Sequence, residues 1–194
     1  KKITNKLSAN VVFFTNEKFS INHLKKHITS SEFNYINDLL KSSDLKKNIF
    51  VYELNSKKKI VLISAKNNLT TSDIENLGAE FYGRINYGKN SEYFINSDSV
   101  VAKYDDFLGH FLHGLKLKSY EFKKYKSKKE NRFLSINVIG NKNKPSAQTQ
   151  LKFKALEEGA FFARDLVSEP GNILHPDEYA KRLISLKKNR LKVN

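Results

Sequence analysis

The sequence predicts an α/β fold, a layered sandwich whose sheet is largely parallel or mixed. Three observations carry this. Short β-branched and aromatic runs alternate with segments whose apolar residues recur every three or four positions, the pattern of strands separated by amphipathic helices. No internal repeat interrupts that alternation, so a solenoid is not indicated. The 194 residues are enough for one substantial core and a small appendage.

In chain order, Val11 to Thr15 is a short apolar run bounded by polar residues and reads as a buried strand. Ser30 to Leu40 carries Phe33, Ile36, Leu39 and Leu40 on one helical face, with Ser31 as the expected cap. Asn48–Leu54 and Lys59–Ala65, rich in Ile, Val, Phe and Tyr and separated by Asn55 and Ser56, predict a hairpin. Ser72 to Ile85 places Ile74, Leu77, Phe81 and Ile85 at helical spacing, and Tyr93 to Ile95 is a further strand. Asp105 to Leu117 repeats the helical stripe with Leu108, Phe111, Leu112 and Leu115, and Phe133 to Ile139 alternates as a strand. Asn141 to Ser146, with Pro145, is a polar loop and the predicted boundary of the compact domain.

Beyond it, Leu151, Ala155, Phe162 and Leu166 line one face of a long helix. Gly159 within that helix costs about 1 kcal/mol against Ala, which close approach to a partner element would offset. The helix should stop before Pro170, because the residue preceding a proline is pushed out of the helical region. Pro176 opens another helix, with Asp177 and Glu178 complementing the positive end of its dipole. His175 is a poor cap for it. Leu191 and Val193 read as the start of a strand that the chain cuts short, and a first residue other than Met points to a trimmed N-terminus.

Composition narrows the classes of function. The sequence contains no cysteine, which excludes disulfides and thiolate metal sites and fits a reducing compartment. No window approaches the 18 or so apolar residues of a membrane span, and no secretory leader is visible, so the chain reads as soluble with no membrane partner. The formal net charge of +15 invites a polyanion partner. The excess is nearly all Lys, however, with Arg confined to Arg84, Arg132, Arg164, Arg182 and Arg190, whereas Arg is the preferred bidentate reader of phosphates and bases. Compositional drift in an AT-rich genome explains an Lys-, Asn-, Ile- and Phe-rich chain without selection for binding.

Several residue sets are candidates for chemistry. His23 and His27 lie four apart, and His110 and His113 three apart, spacings that put two imidazoles on one helix face. The first pair is flanked by Lys25 and Lys26 with no carboxylate nearby. The second has Asp105 and Asp106 close by, but Asp106 is as readily an i,i+4 surface partner of His110. Asp165 and Glu169 form a possible acid/base pair, against which capping or pairing with Arg164 is the simpler role. Ser168 has neither an adjacent His nor a G-x-S-x-G elbow. From Lys116 to Lys129, lysines interleave with Tyr120, Phe122 and Tyr125, a pattern that tracks and stacks single-stranded nucleic acid or that is the solvated face of a Lys-rich protein.

The most specific signal is the order of elements in Glu157–Leu183, EEGAFFARDLVSEPGNILHPDEYAKRL. It resembles the segment joining the two domains of the leucyl (cytosol) aminopeptidase family, where an A-R-D-L-V-N-E-P run is followed by N-x-L-x-P-E-E-[FY]-A. The match runs through Ala163, Arg164, Asp165, Leu166, Val167, Glu169, Pro170, Asn172, Leu174, Pro176, Glu178, Tyr179 and Ala180. Ser168 stands at the usual Asn position and His175 where the family often has a capping Thr. Upstream, Gly114, Leu117, Tyr120, Phe122 and Tyr125 follow the family's G-x-x-L-x-x-Y-x-F-x-x-Y pattern.

The resemblance implies a macro-domain-like three-layer sandwich over residues 1–145, non-catalytic, and over 146–194 a long linker helix with the beginning of a catalytic domain. In that family the metals and catalytic groups belong to the C-terminal domain, marked by D-S-G-G and N-T-D-A-E-G-R-L, and neither string occurs in this sequence. The expectation is therefore no catalytic, cofactor-binding or metal residue in this chain. The full-length parent would be a manganese- or zinc-dependent hydrolase that removes Leu-type N-terminal residues from peptides, a cytoplasmic homo-hexamer whose first partner is its own C-terminal domain. A macro-like fold also raises nucleotide binding, but the glycines are dispersed and no G-x-G or G-G occurs to cradle phosphate. The alternative from another class is a basic nucleic-acid-binding module.

Overall fold

A computed structural model describes residues 9–85, 91–127 and 133–193. Five strands form one sheet in the order β2-β3-β1-β4-β5: β1 (Asn10–Thr15), β2 (Ile49–Asn55), β3 (Lys58–Ser64), β4 (Ser91–Asn96) and β5 (Leu134–Ile139). The β2–β3 hairpin is antiparallel and every other pairing is parallel, so the sheet is mixed, as the sequence predicts. The alternation along β1 shows why it sits centrally. Val11 and Phe13 point to one face, Val12 and Phe14 to the other, and all four are buried, the two-sided burial of a strand covered by helices above and below.

On the first face, α1 (Ser30–Lys41) and a 3-10 turn at Asn22–Lys26 cover β1, β2 and β3 through Leu24, Ile36 and Leu40. The cap of α1 is Thr29 rather than Ser31: its hydroxyl accepts from the Glu32 amide while the Glu32 carboxylate accepts from the Thr29 amide, a capping box that Ser31 has no downstream acid to complete. On the second face lie α2 (Thr71–Ile85) and α3 (Phe107–Lys118), which bury Ile74, Leu77, Phe81, Phe111 and Leu115 against the sheet. Gly78 and Gly114 let these two helices touch backbone to backbone. A Cβ on Gly78 would fall 1.9 Å from the Phe111 carbonyl oxygen, and one on Gly114 the same distance from that of Glu75.

The three-layer sandwich is followed by α4 (Ala147–Ser168), α5 (Pro176–Ile184) and a 3-10 turn over Ser185–Asn189. Three sequence expectations change here. The docked face of α4 is that of Thr149 and Phe153, while Leu151 is 69% exposed and Ala155 is also exposed. Phe153 wins because α3 offers it two imidazole rings, His113 stacked at 4.7 Å and His110 edge-on at 4.9 Å between centroids. Among the described residues nothing lies within 4 Å of where a Cβ on Gly159 would stand, so none of them makes the close approach expected of it. Residues 191–193 form no strand. α4 ends at Ser168, before Pro170, and α5 starts at Pro176 with His175 making no side-chain cap.

Candidate functional site

The histidine pairs do not converge on a metal. Within the first pair, His23 Nε2 meets the Phe14 carbonyl at 3.0 Å, whereas His27, the residue closing the 3-10 turn, has its Nε2 buried with no hydrogen-bond partner among the described residues. Burial of that ring, with Lys26 beside it, lowers its pKa below the ordinary imidazole value despite the opposing pull of Asp98. In the second pair, His110 Nδ1 contacts Glu75 of α2 at 3.0 Å and His113 Nδ1 contacts Glu157 of α4 at 3.1 Å. The two imidazoles thus tie α3 to a different neighbour each. Asp106 does not pair with His110; it accepts from the Thr149 hydroxyl at 2.8 Å and so helps fix the start of α4. Among the described residues no group of three or more His, Cys, Asp or Glu side chains is placed to hold a metal, so the donors here do not fit the two-metal centre that the family resemblance implies for the parent.

The densest polar constellation sits where α4 ends. Glu169, whose side chain is 1% exposed, closes the helix as its C-cap and receives three donors from two other stretches of chain. Its Oε1 accepts from Lys124 Nζ at 2.6 Å and from Arg182 Nη1 at 2.9 Å, and its Oε2 from the Tyr125 hydroxyl. Lys124 first, then the Tyr125 phenol and Arg182, hold this carboxyl down to about 2. Arg182 also reaches back to Glu178 at 3.1 Å within α5. One turn earlier on α4, Asp165 accepts from the Tyr120 hydroxyl at 2.8 Å, and the Tyr120 ring packs on Phe161. Asp165 and Glu169 therefore serve two separate partners and do not form an acid/base pair. Arg164 takes neither of them, donating instead to the Leu117 carbonyl at 2.6 Å. Its guanidinium lies over the Tyr120 ring.

Between these partners lies a cleft of about 200 Å³ walled by Phe122, Phe162 and Leu166 and by the charged heads of Lys124, Glu169 and Arg182. Phe162 and Leu166 are half-buried. The aromatics of the Lys-rich stretch each have partners within the protein: Tyr120 on Phe161 and Asp165, Phe122 on Tyr125, and Tyr125, itself exposed, on Glu169. Lys123 and Lys124 are paired with Glu121 and Glu169. Lys128 and Lys129 lie outside the described residues. The Glu169 junction was not visible as such in the sequence, because Lys124 and Tyr125 precede it by about 45 positions. The one signal was that Tyr125 and Glu169 each fall on a position of the family-like patterns; Lys124 and Arg182 do not.

No family model matches the chain. A probable cytosol aminopeptidase of Ehrlichia ruminantium (strain Gardel) is 35% identical over 114 residues, 55% of this chain and 22% of the relative. Among solved structures, the tomato leucine aminopeptidase mutant K354E shares the fold with a TM-score of 0.71 at 14% identity, over 97% of this chain and 41% of that one. The bottromycin maturation enzyme BotP in complex with Mn gives 0.65 at 12% identity, over 94% and 36%. The chain thus matches about a fifth of the length of the curated relative. Over 55% of its length the chain is thus similar in sequence to a protein named as a probable cytosol aminopeptidase, and it shares its fold with part of a leucine aminopeptidase.

Proposed function

We propose that residues 1–145 are the non-catalytic N-terminal domain of a leucyl aminopeptidase and that 146–194 are its linker helix and the beginning of its catalytic domain. The observation that carries this reading is the Glu157–Leu183 stretch. Two of its family-like residues take part in the junction: Asp165 and Glu169 are met by Tyr120 and Tyr125 of the upstream pattern. The fold adds support, since it takes up nearly all of this chain and only 41% of the tomato leucine aminopeptidase.

The complete protein would then remove N-terminal, Leu-type residues from peptides. Two divalent ions, manganese or zinc, would supply Lewis-acid activation of water and carbonyl from the downstream domain; a neighbour of the same fold, the bottromycin maturation enzyme BotP, is a complex with Mn. None of the residues described here is assigned a ligand or a chemical step in that reaction. The role of this domain is to shape access to the active site and to pack within a cytoplasmic homo-hexamer.

The test is twofold. The purified 194-residue chain, incubated with manganese or zinc, should release no leucine from a leucyl amide, and the gene should continue past Asn194 into a domain with D-S-G-G and N-T-D-A-E-G-R-L. Metal-dependent turnover by the isolated chain, or a reading frame that stops at Asn194, overturns the proposal.

A further inference from the structure

The second helix of the arm presents a physical problem. α5 is nine residues long and none of its side chains is buried, with Tyr179 and Ile184 exposed. An isolated helix shorter than about 12 residues is marginal in water. Its N-terminus has Pro176 and two acids in the first turn but no side-chain cap, and the loop before it is closed by only two backbone hydrogen bonds, from Ile173 and Leu174 to the Pro170 carbonyl. Against this weak local support stands one strong contact, the Arg182 guanidinium on the Glu169 carboxylate, with the same guanidinium held in place by Glu178.

We propose that Glu169 is the latch of a three-way junction: its carboxylate holds α5 and the 121–127 stretch to the end of α4 and so fixes the course of the chain after the long helix. The charges suit this role. A carboxylate so nearly excluded from water is stable only with its donors in place, and here both oxygens are used and the donors come from both sides. Lys124 and Tyr125 are adjacent and belong to the connection between α3 and β5, which has no regular secondary structure among its described residues. Each of the two weakly supported segments is therefore pinned to the same atom pair, and the release of one leaves the other bound. Glu169 is a positioning residue in this scheme.

Hydrogen exchange on the whole 194-residue chain tests it, and it does so independently of any peptidase activity. In Glu169→Gln, which keeps the shape but removes the charge, amides of 176–189 and of 121–127 should exchange about tenfold faster or more, as charge-assisted hydrogen bonds of this kind are lost. Amides of β1 and β3 should be unchanged. In Arg182→Met, which retains most of the aliphatic stem, the acceleration should be confined to 176–189. If Glu169→Gln does not fold, Arg182→Met alone decides. Unchanged exchange over 176–189 in either variant, or acceleration spread evenly through the sheet in Arg182→Met, overturns the latch.

Discussion

Two parts of this chain are held together by different physics. In the sandwich, Phe13, Phe14, Ile36, Ile63, Phe81 and Phe111 are all under 2% exposed, and α2 and α3 meet with no side chain between their backbones at Gly78 and Gly114. In the arm, α4 buries only Thr149 and Phe153 over 22 residues and α5 buries nothing. Val167 is 88% exposed. What fixes the arm is a series of polar pairs: Thr149 on Asp106, His113 on Glu157, Tyr120 on Asp165, and the three donors of Glu169. Apolar burial is non-directional and cooperative, so the sandwich should fail as a unit. Individual polar contacts fail one at a time, and the arm should loosen in steps.

The largest expected effect lies where the sandwich tolerates no added atom. In Gly114→Ala the new methyl would meet the Glu75 carbonyl oxygen at 1.9 Å and its carbonyl carbon at 2.5 Å, and backbone atoms of a neighbouring helix cannot rotate aside. Overpacking of this kind should cost about 3 kcal/mol or more, a fall in Tm of about 10 °C for a chain of this size, seen as one cooperative transition by circular dichroism. Leu151→Ala on the open face of α4 should stay within about 0.5 kcal/mol. A small effect for Gly114→Ala would break the distinction drawn between the two parts.

This division also explains what the sequence made legible. The strands and helices of the sandwich announce themselves because burial on both faces of β1 and on one face each of α1, α2 and α3 leaves a periodic apolar record. Along α4 the same logic misleads. Of the stripe Leu151, Ala155, Phe162 and Leu166, the last two do wall the cleft, but Leu151 and Ala155 are exposed and the first half of the helix docks instead through Phe153 between two histidines and through Thr149 on Asp106, contacts that leave no apolar period to read. Ser31 was a plausible cap for the same reason that Thr29 is the real one; only the position of Glu32 separates them. The junction at Glu169 is a long-range assembly of charges, which local pattern does not encode and which only the family-like string pointed towards.

Acid should distinguish the two parts by order of release. His27 is held neutral in the sandwich, its pKa depressed by burial, so the unfolded chain takes up that proton first. Its contribution is complete above the free imidazole value, about 6.5, and is lost as pH falls below it. Glu169 is also depressed, to about 2, and the arm keeps that contribution until pH falls through the ordinary carboxylate range towards this value. Mild acid should therefore lower the stability of the sandwich while the contact between α5 and the junction survives. Chemical denaturation between pH 7 and pH 5 measures the first step, and His27→Gln should flatten it. Protection of amides 176–189, relative to their intrinsic exchange rates, reads the second below pH 4, and in Glu169→Gln the acid-induced loss of that protection should disappear. Release of α5 already at pH 6 would show that the arm is not held by this carboxylate.

The smallest effect expected is at Gly159, and it bears on what the arm is for. A glycine in the interior of a long helix is unfavourable by about 1 kcal/mol relative to alanine. Among the described residues no atom within 4 Å compensates for it, since a Cβ there would meet open space. Gly159→Ala should therefore stabilise the isolated chain by up to about 1 kcal/mol, visible as slower amide exchange along the middle of α4 with little change in the Tm of the sandwich. The same substitution in a longer protein containing this chain gives the contrasting measurement. If a downstream domain packs closely on α4, the added methyl becomes a clash and the sign reverses. A stabilisation of equal size in both contexts would show that nothing approaches this turn of the helix in either. The glycine would then be a cost without a structural return, and the partner surface would have to be sought around Leu151, Leu156 and Val167, the large apolar residues that α4 leaves exposed.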